Sequence, residues 1–195
     1  LSRLQDKPQQ WRRAYLDGLA AVVLIGGAIT TVLFGGAAPV IATVYGPDWE
    51  ATISIFGILS FSMLFGAPMS STGWIYISLG RTDLMLRWAM IATPAYVLGF
   101  LIGLPFGAVG VATGYSITVA LLFVPCFMFA VRHTPVSVID VLNIVWPISA
   151  CSAAIGLSLR WLTAYTDTLI GLFLTGAGLC LYLGLAVLLV FTWPA

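Results

Sequence analysis

Ionisable side chains are so sparse in this 195-residue sequence that each can be weighed singly. Asp17 lies about one turn into an apolar stretch and Arg87 about one turn into another. A charge in such a place is expensive and normally faces protein or water; Arg87 can also reach back to the edge of its stretch. Asp17 is the only carboxylate placed where an ion could be coupled. Ser60, Ala67, Ser71, Trp74 and Ser78 share one helical face, opposite Ile, Leu, Phe and Met. Such a face forms either a close helix contact or the lining of a wet cavity, where hydroxyls and an indole ring can meet a polar solute. Cys126, Cys151 and Cys180 each sit among apolar residues without metal-ligand spacing, which points to inert thiols. His133 reads as a solvated loop residue. There is no buried acid–base constellation, Walker loop or dinucleotide-type glycine loop. The expectation is therefore no enzyme, no metal and no cofactor.

The elements that hold these residues follow from composition. Apolar residues make up 61% of the chain and charged ones 8%, against about 25% charged in a soluble domain. The mean hydropathy is +1.06. A soluble fold needs more polar surface than this, disorder needs more charge, and a net charge of +1 gives no footprint for nucleic acid. The class that remains is all-α and multi-pass. Residues 18–47, 51–80, 88–131, 141–159 and 168–195 carry no charge. The third stretch is too long for one crossing and divides at Gly103-Leu-Pro-Phe-Gly107. About six transmembrane helices are predicted, at 16–38, 52–79, 84–104, 109–131, 143–163 and 169–192.

Loop charges orient them. Arg3, Lys7, Arg12, Arg13, Arg81, Arg87 and Arg132, seven of the eight basic residues, fall at alternate ends, and only Arg160 falls at the opposite ends. The positive-inside rule then places the N-terminal segment and the end of the last span in the cytoplasm. Trp11, Tyr15, Tyr45, Trp49, Trp88, Trp161, Tyr165 and Trp193 lie near span ends, where amphipathic rings favour the headgroup region.

Local chemistry predicts some boundaries. Asp48 and Glu50 suit a helix start, Thr82 or Asp83 suits a cap, and Thr134-Pro135 reads as a cap with a first-turn proline. A short interfacial helix is predicted at about 136–146, entering the fifth span near Pro147. Pro39, Pro68, Pro94, Pro125 and Pro147 serve either packing geometry or bends that let a bundle open. Gly99, Gly103 and Gly107, with Gly110 and Gly114, read as packing seams.

Several stretches in order resemble a known family: Leu1-Ser-Arg-Leu-Gln-Asp6, Trp11-Arg-Arg-Ala-Tyr15, Tyr45-Gly-Pro-Asp-Trp-Glu50, Ser71-Thr-Gly73, Leu79-Gly-Arg-Thr-Asp-Leu84, Leu86-Arg-Trp88, and Gly103-Leu-Pro-Phe-Gly107 running into Gly110-Val-Ala-Thr-Gly-Tyr115. Over residues 1–165 the set is similar to the Wzx-type polysaccharide flippases of the multidrug/oligosaccharidyl-lipid/polysaccharide superfamily. The resemblance implies two helix bundles around a central cavity, with this chain as most of the second lobe. The first bundle and the first helices of the second would lie in a missing N-terminal half of the same protein.

It also implies a non-enzymatic transporter in the bacterial inner membrane. Such a protein moves an undecaprenyl-diphosphate-linked oligosaccharide to the periplasmic leaflet, for exopolysaccharide, capsule or O-antigen (lipopolysaccharide) synthesis. The expected partners are that lipid-linked substrate, membrane lipid and polysaccharide polymerase machinery. On this view Arg13, Arg81 and Arg87 are candidate contacts for the diphosphate, Ser60, Ser71, Trp74 and Ser78 are candidate cavity-lining residues, and Asp17 is a candidate for ion coupling. Two alternatives stay open: an ion-coupled drug/cation antiporter of the same superfamily, and a non-transporting scaffold for a polysaccharide synthase.

Overall fold

The computed structural model describes residues 1–2 and 6–192. Among them the chain is all-α: α1 (Pro8–Thr30), a π-helical segment (Thr31–Gly35), α2 (Ala37–Val44), α3 (Glu50–Ser70), α4 (Thr72–Ser78), α5 (Thr82–Gly103), α6 (Gly107–Ala130), α7 (Val138–Thr163) and α8 (Thr168–Thr192), with short 3-10 turns at Pro47–Trp49 and Leu104–Phe106. Five helical segments are long and apolar enough to cross a bilayer. The third of them, Thr82–Ala130, is 49 residues long, more than twice what one crossing needs. It folds back at Leu104–Phe106 into a hairpin of α5 and α6, so the bundle has six legs.

The hairpin shows why glycine sits where it does. Gly103 lies against the Gly110 carbonyl, and Gly99 against the Gly114 carbonyl and Thr118. A Cβ at Gly103, Gly110 or Gly114 would collide with facing backbone, and one at Gly99 with the Thr118 hydroxyl. Lipid gives apolar helices no solvent drive to associate, so the close approach permitted by small residues supplies the packing energy. Gly107 is different: its φ of +69° turns the chain, and a Cβ there would meet nothing.

Outside the seams the bundle is apolar on its exterior. Ile102, Phe106, Leu121, Trp146, Leu169 and Phe173 are each more than two-thirds exposed. In the most apolar window of the α5–α6 hairpin only 17% of residues are buried. A water-soluble protein does not present apolar surface on that scale, whereas hydrocarbon solvates it at no cost. The fold is that of a multi-pass α-helical membrane protein.

Several boundaries differ from expectation. The first leg begins at Pro8 rather than near residue 16, and it continues past Pro39 to Val44 through the π-helical segment. The predicted interfacial helix at 136–146 is not a separate element, because α7 runs unbroken from Val138 through Pro147 to Thr163. Its cap is Ser137, not Thr134. Ser137 Oγ accepts from the Asp140 N–H at 3.1 Å while Asp140 Oδ2 accepts from the Ser137 N–H at 2.9 Å, a reciprocal box that satisfies two otherwise free donors. Thr82 and Asp83 fall in the first turn of α5 and make no side-chain cap. Trp11 and Tyr15 are not interfacial rings: they are 2% and 0% exposed and stack at 5.7 Å inside the core. Tyr45, Trp49, Trp161 and Tyr165 are exposed at span ends, as expected. Arg3 and Trp193 lie outside the described residues.

Candidate functional site

The polar groups that matter fall at the ends of the bundle and in one buried layer between them. At the end carrying Lys7, Arg12 and Arg13, Arg12 Nη2 pairs with Asp140 Oδ1 at 2.9 Å, tying α1 to the first turn of α7. Arg13 is exposed beside it. Together with Gln9, Gln10 and Leu16, the two arginines border a depression of about 330 Å³. Leu16 also borders a smaller pocket of about 70 Å³, lined by Asp17, Ala20, Asn143, Ile144, Pro147 and Ile148.

Pro147 has no N–H, so the carbonyl of Asn143, four residues earlier, loses its helical donor. Asp17 and Asn143 both border this pocket, and both are exposed.

The small-residue face of the second leg is a helix contact. Ser60, Ser71 and Ser78 are 2%, 0% and 4% exposed. Tyr15 Oη and Ser71 Oγ lie 2.9 Å apart. Thr30 Oγ1 donates to the Ser60 carbonyl at 2.9 Å. Gly26 meets Ala67, and Gly18 meets the Trp74 ring. The expectation that Ser60 and Ser71 line a cavity is therefore corrected: α1 packs against them, because Gly18 and Gly26 let it approach; Ser78, also expected there, is buried and donates to the Ile75 carbonyl of its own helix. Trp74 is 39% exposed over Gly18 and remains partly accessible.

The predicted arginines are not gathered into one site. Arg81 is half-buried at the α4–α5 turn, where its N–H bonds the Tyr76 carbonyl at 2.8 Å. Arg87 is exposed on α5. Neither borders the depression at Arg12 and Arg13. Arg132 packs over Phe129 at 5.6 Å, and His133 is exposed in the same loop. Cys126 is buried beside Thr72, Sγ to Oγ1 3.8 Å, consistent with a packed thiol. No cluster of three or more potential metal ligands occurs among the described residues.

The buried polar layer escaped the sequence reading. Thr31 Oγ1 and Ser152 Oγ lie 3.0 Å apart, and both lie within donor distance of the Gly27 carbonyl, at 2.9 and 2.7 Å. Tyr182 Oη donates to the Leu24 carbonyl at 3.0 Å. Thr163 Oγ1 donates to the Gly35 carbonyl at 3.1 Å, which is the group that Pro39 leaves without a helical donor. The signal was present in the pairing of Gly35 with Pro39 four residues on, but the hydroxyl that answers it lies 128 residues away in sequence.

Comparisons with protein-family models, curated proteins and solved structures find no match. The class defined by fold and site is a multi-pass helical membrane protein with a cationic rim at one end and a carboxylate pocket just inside it.

Proposed function

We propose that the chain is one lobe of a transporter that flips a lipid-linked oligosaccharide, an undecaprenyl-diphosphate-borne repeat unit, across the bacterial cytoplasmic membrane. The observation that supports this most is that the Arg12–Arg13 depression and the Asp17–Asn143 pocket lie side by side, sharing Leu16. An anionic diphosphate arriving from the cytoplasm meets guanidinium donors first, and the polyprenyl tail stays in lipid against the apolar exterior. The arginine-bearing end is cytoplasmic by the positive-inside rule. A facing bundle in a longer form of the protein completes the cavity, and polymerisation of the sugar follows on the far side. The resemblance of the ordered motifs to the Wzx-type family supports the same reading. No reaction chemistry is required of the chain.

A second reading, a cation-coupled antiporter of the same superfamily, is favoured by one observation: Asp17, exposed on α1, borders the same small pocket as Asn143 on α7. The two readings separate experimentally. Deleting the gene in its native host and restoring full-length protein tests flipping directly. The deletion is expected to hold the lipid-linked repeat on the cytoplasmic leaflet and restoration to release it. Normal delivery of the repeat in the deletion strain, together with lost efflux of organic cations, would establish the antiporter instead.

A further inference from the structure

At the opposite end of the bundle, Arg160 stands alone among the basic residues. It lies in the last turn of α7, and its guanidinium is held over the Phe34 ring at 5.5 Å. Nη1 also comes within 3.2 Å of the space a Cβ at Gly57 would occupy. The side chain is thus fixed on two sides, yet its N–H donors face no carboxylate: the sole ion pair among the described residues is Arg12–Asp140. A cation over an aromatic face keeps its hydrogen-bonding edge available for an in-plane acceptor.

Arg160 borders an open groove of about 480 Å³ with Phe34, Ile53, Leu157, Trp161 and Tyr165. Trp161 and Tyr165 are 66% and 77% exposed and meet edge to face at 5.5 Å. Past Thr163 the groove adjoins a second hollow, lined by Glu50, Thr166 and Thr168, where the Thr166 hydroxyl is buried and has no protein partner. One fixed guanidinium, two accessible rings and an apolar floor in one groove are the complement of a phosphate ester carried by a lipid. The guanidinium takes the phosphate, the rings lie at headgroup depth, and the apolar wall takes the chain.

We infer that the Phe34–Arg160–Trp161–Tyr165 groove is a binding site for a lipid phosphate at the face of the membrane opposite the arginine-bearing end. Two sources share this chemistry: the diphosphate of a polyprenyl-linked sugar, and the phosphodiester of an ordinary anionic phospholipid. The inference depends on the membrane fold and not on transport; the transport reading bears only on which source occupies the groove.

The test uses full-length protein in nanodiscs of phosphatidylcholine. Undecaprenyl diphosphate is titrated in one arm and phosphatidylglycerol in the other, with bound lipid counted by native mass spectrometry. Arg160→Gln is expected to weaken binding about tenfold in at least one arm, Arg160→Lys to recover part of it, and Trp161→Ala to weaken it without any change of charge. Loss confined to the undecaprenyl diphosphate arm assigns the groove to the transported lipid. Loss confined to the phosphatidylglycerol arm assigns it to bulk lipid and sustains the site even where flipping fails. Unchanged binding of both lipids by Arg160→Gln, in protein of unaltered melting temperature, overturns the inference. Should that variant fold poorly, Trp161→Ala and Tyr165→Ala decide in its place, since both rings are exposed and carry little packing; unchanged binding of both lipids by those two variants equally overturns it.

Discussion

Arg12 and Asp140 close a charge-assisted clasp between helices 128 residues apart in sequence, with Nη2 to Oδ1 at 2.9 Å and Nε to Oδ2 at 3.3 Å. The same carboxylate caps α7 through the Ser137 N–H. One side chain therefore starts the fifth leg and fixes it to the first, beside the rim where Arg13 is exposed. Both partners are only partly buried, so solvent screens the pair and its coupling is expected at about 0.5–1 kcal/mol. Asp140→Ala should cost about 0.5 kcal/mol more than Arg12→Gln, because it also removes the half of the capping box that serves the Ser137 N–H, while Ser137 itself still caps the helix. A double-mutant cycle on detergent-solubilised protein measures both. Equal costs for the two single variants would show that the cap contributes nothing.

The Gly35 carbonyl offers a test with its own rescue. Thr163→Val removes the hydroxyl that serves it, and within a membrane such a bond is worth about 0.6–1.7 kcal/mol. Pro39→Ala restores a helical N–H to the same carbonyl. The Thr163→Val cost should therefore shrink when Pro39→Ala is already present. Additive costs, read from thermal unfolding, would mean that Thr163 acts elsewhere.

The α5–α6 hairpin should be the part least tolerant of added volume. Gly103→Val and Gly114→Val each drive a side chain into facing backbone and should destabilise by about 1–3 kcal/mol or prevent insertion. Gly176→Ala, where an added Cβ meets nothing within 4 Å, should fold normally and with slightly greater stability, as expected of a helical Gly→Ala change. Membrane-fraction yield and melting temperature separate these outcomes.

Asp17 and Arg87 test the transport reading residue by residue. Asp17→Asn should leave lipid binding intact and remove dependence of flipping on an ion gradient. A variant that keeps full gradient dependence would exclude Asp17 from coupling. Arg87→Ala should cut flipping while Arg87→Lys keeps part of it, and unchanged flipping in the alanine variant would reject contact with the diphosphate.

Charge spacing was enough to draw the membrane frame, because an uncharged run of about 20 residues is a direct statement about lipid. The division at Gly103–Gly107 was legible for the same reason that it works: glycine spacing reports how closely two backbones approach. Composition could not decide what the Ser60–Ser71–Ser78 face meets, since a hydroxyl serves a wet cavity and a dry seam equally well. Gly18 and Gly26 on α1 settle that choice only once the two legs are side by side. Trp11 and Tyr15 were misplaced for a related reason: rings near a charge cluster look interfacial until α7 and the 131–137 loop are folded over them. The π-helical turn at Thr31–Gly35 was not foreseen, and the α7 hydroxyls that meet it, Ser152 at Thr31 and Thr163 at Gly35, are far away in sequence. Arg160 was visible only as the exception to a charge rule; its groove needs Phe34 from one leg and Trp161 from another.

The account depends most on six legs crossing the bilayer with Arg81 and Arg132 on the cytoplasmic side. The direct measurement replaces Cys126, Cys151 and Cys180 with alanine in full-length protein, introduces one cysteine at a time at Arg81, Arg132 or Tyr165, and labels intact cells with a membrane-impermeant maleimide. Cysteines at 81 and 132 are predicted to stay unlabelled until the cells are opened, and the one at 165 to label from outside. Labelling of 81 and 132 in intact cells, with protection at 165, would contradict the account.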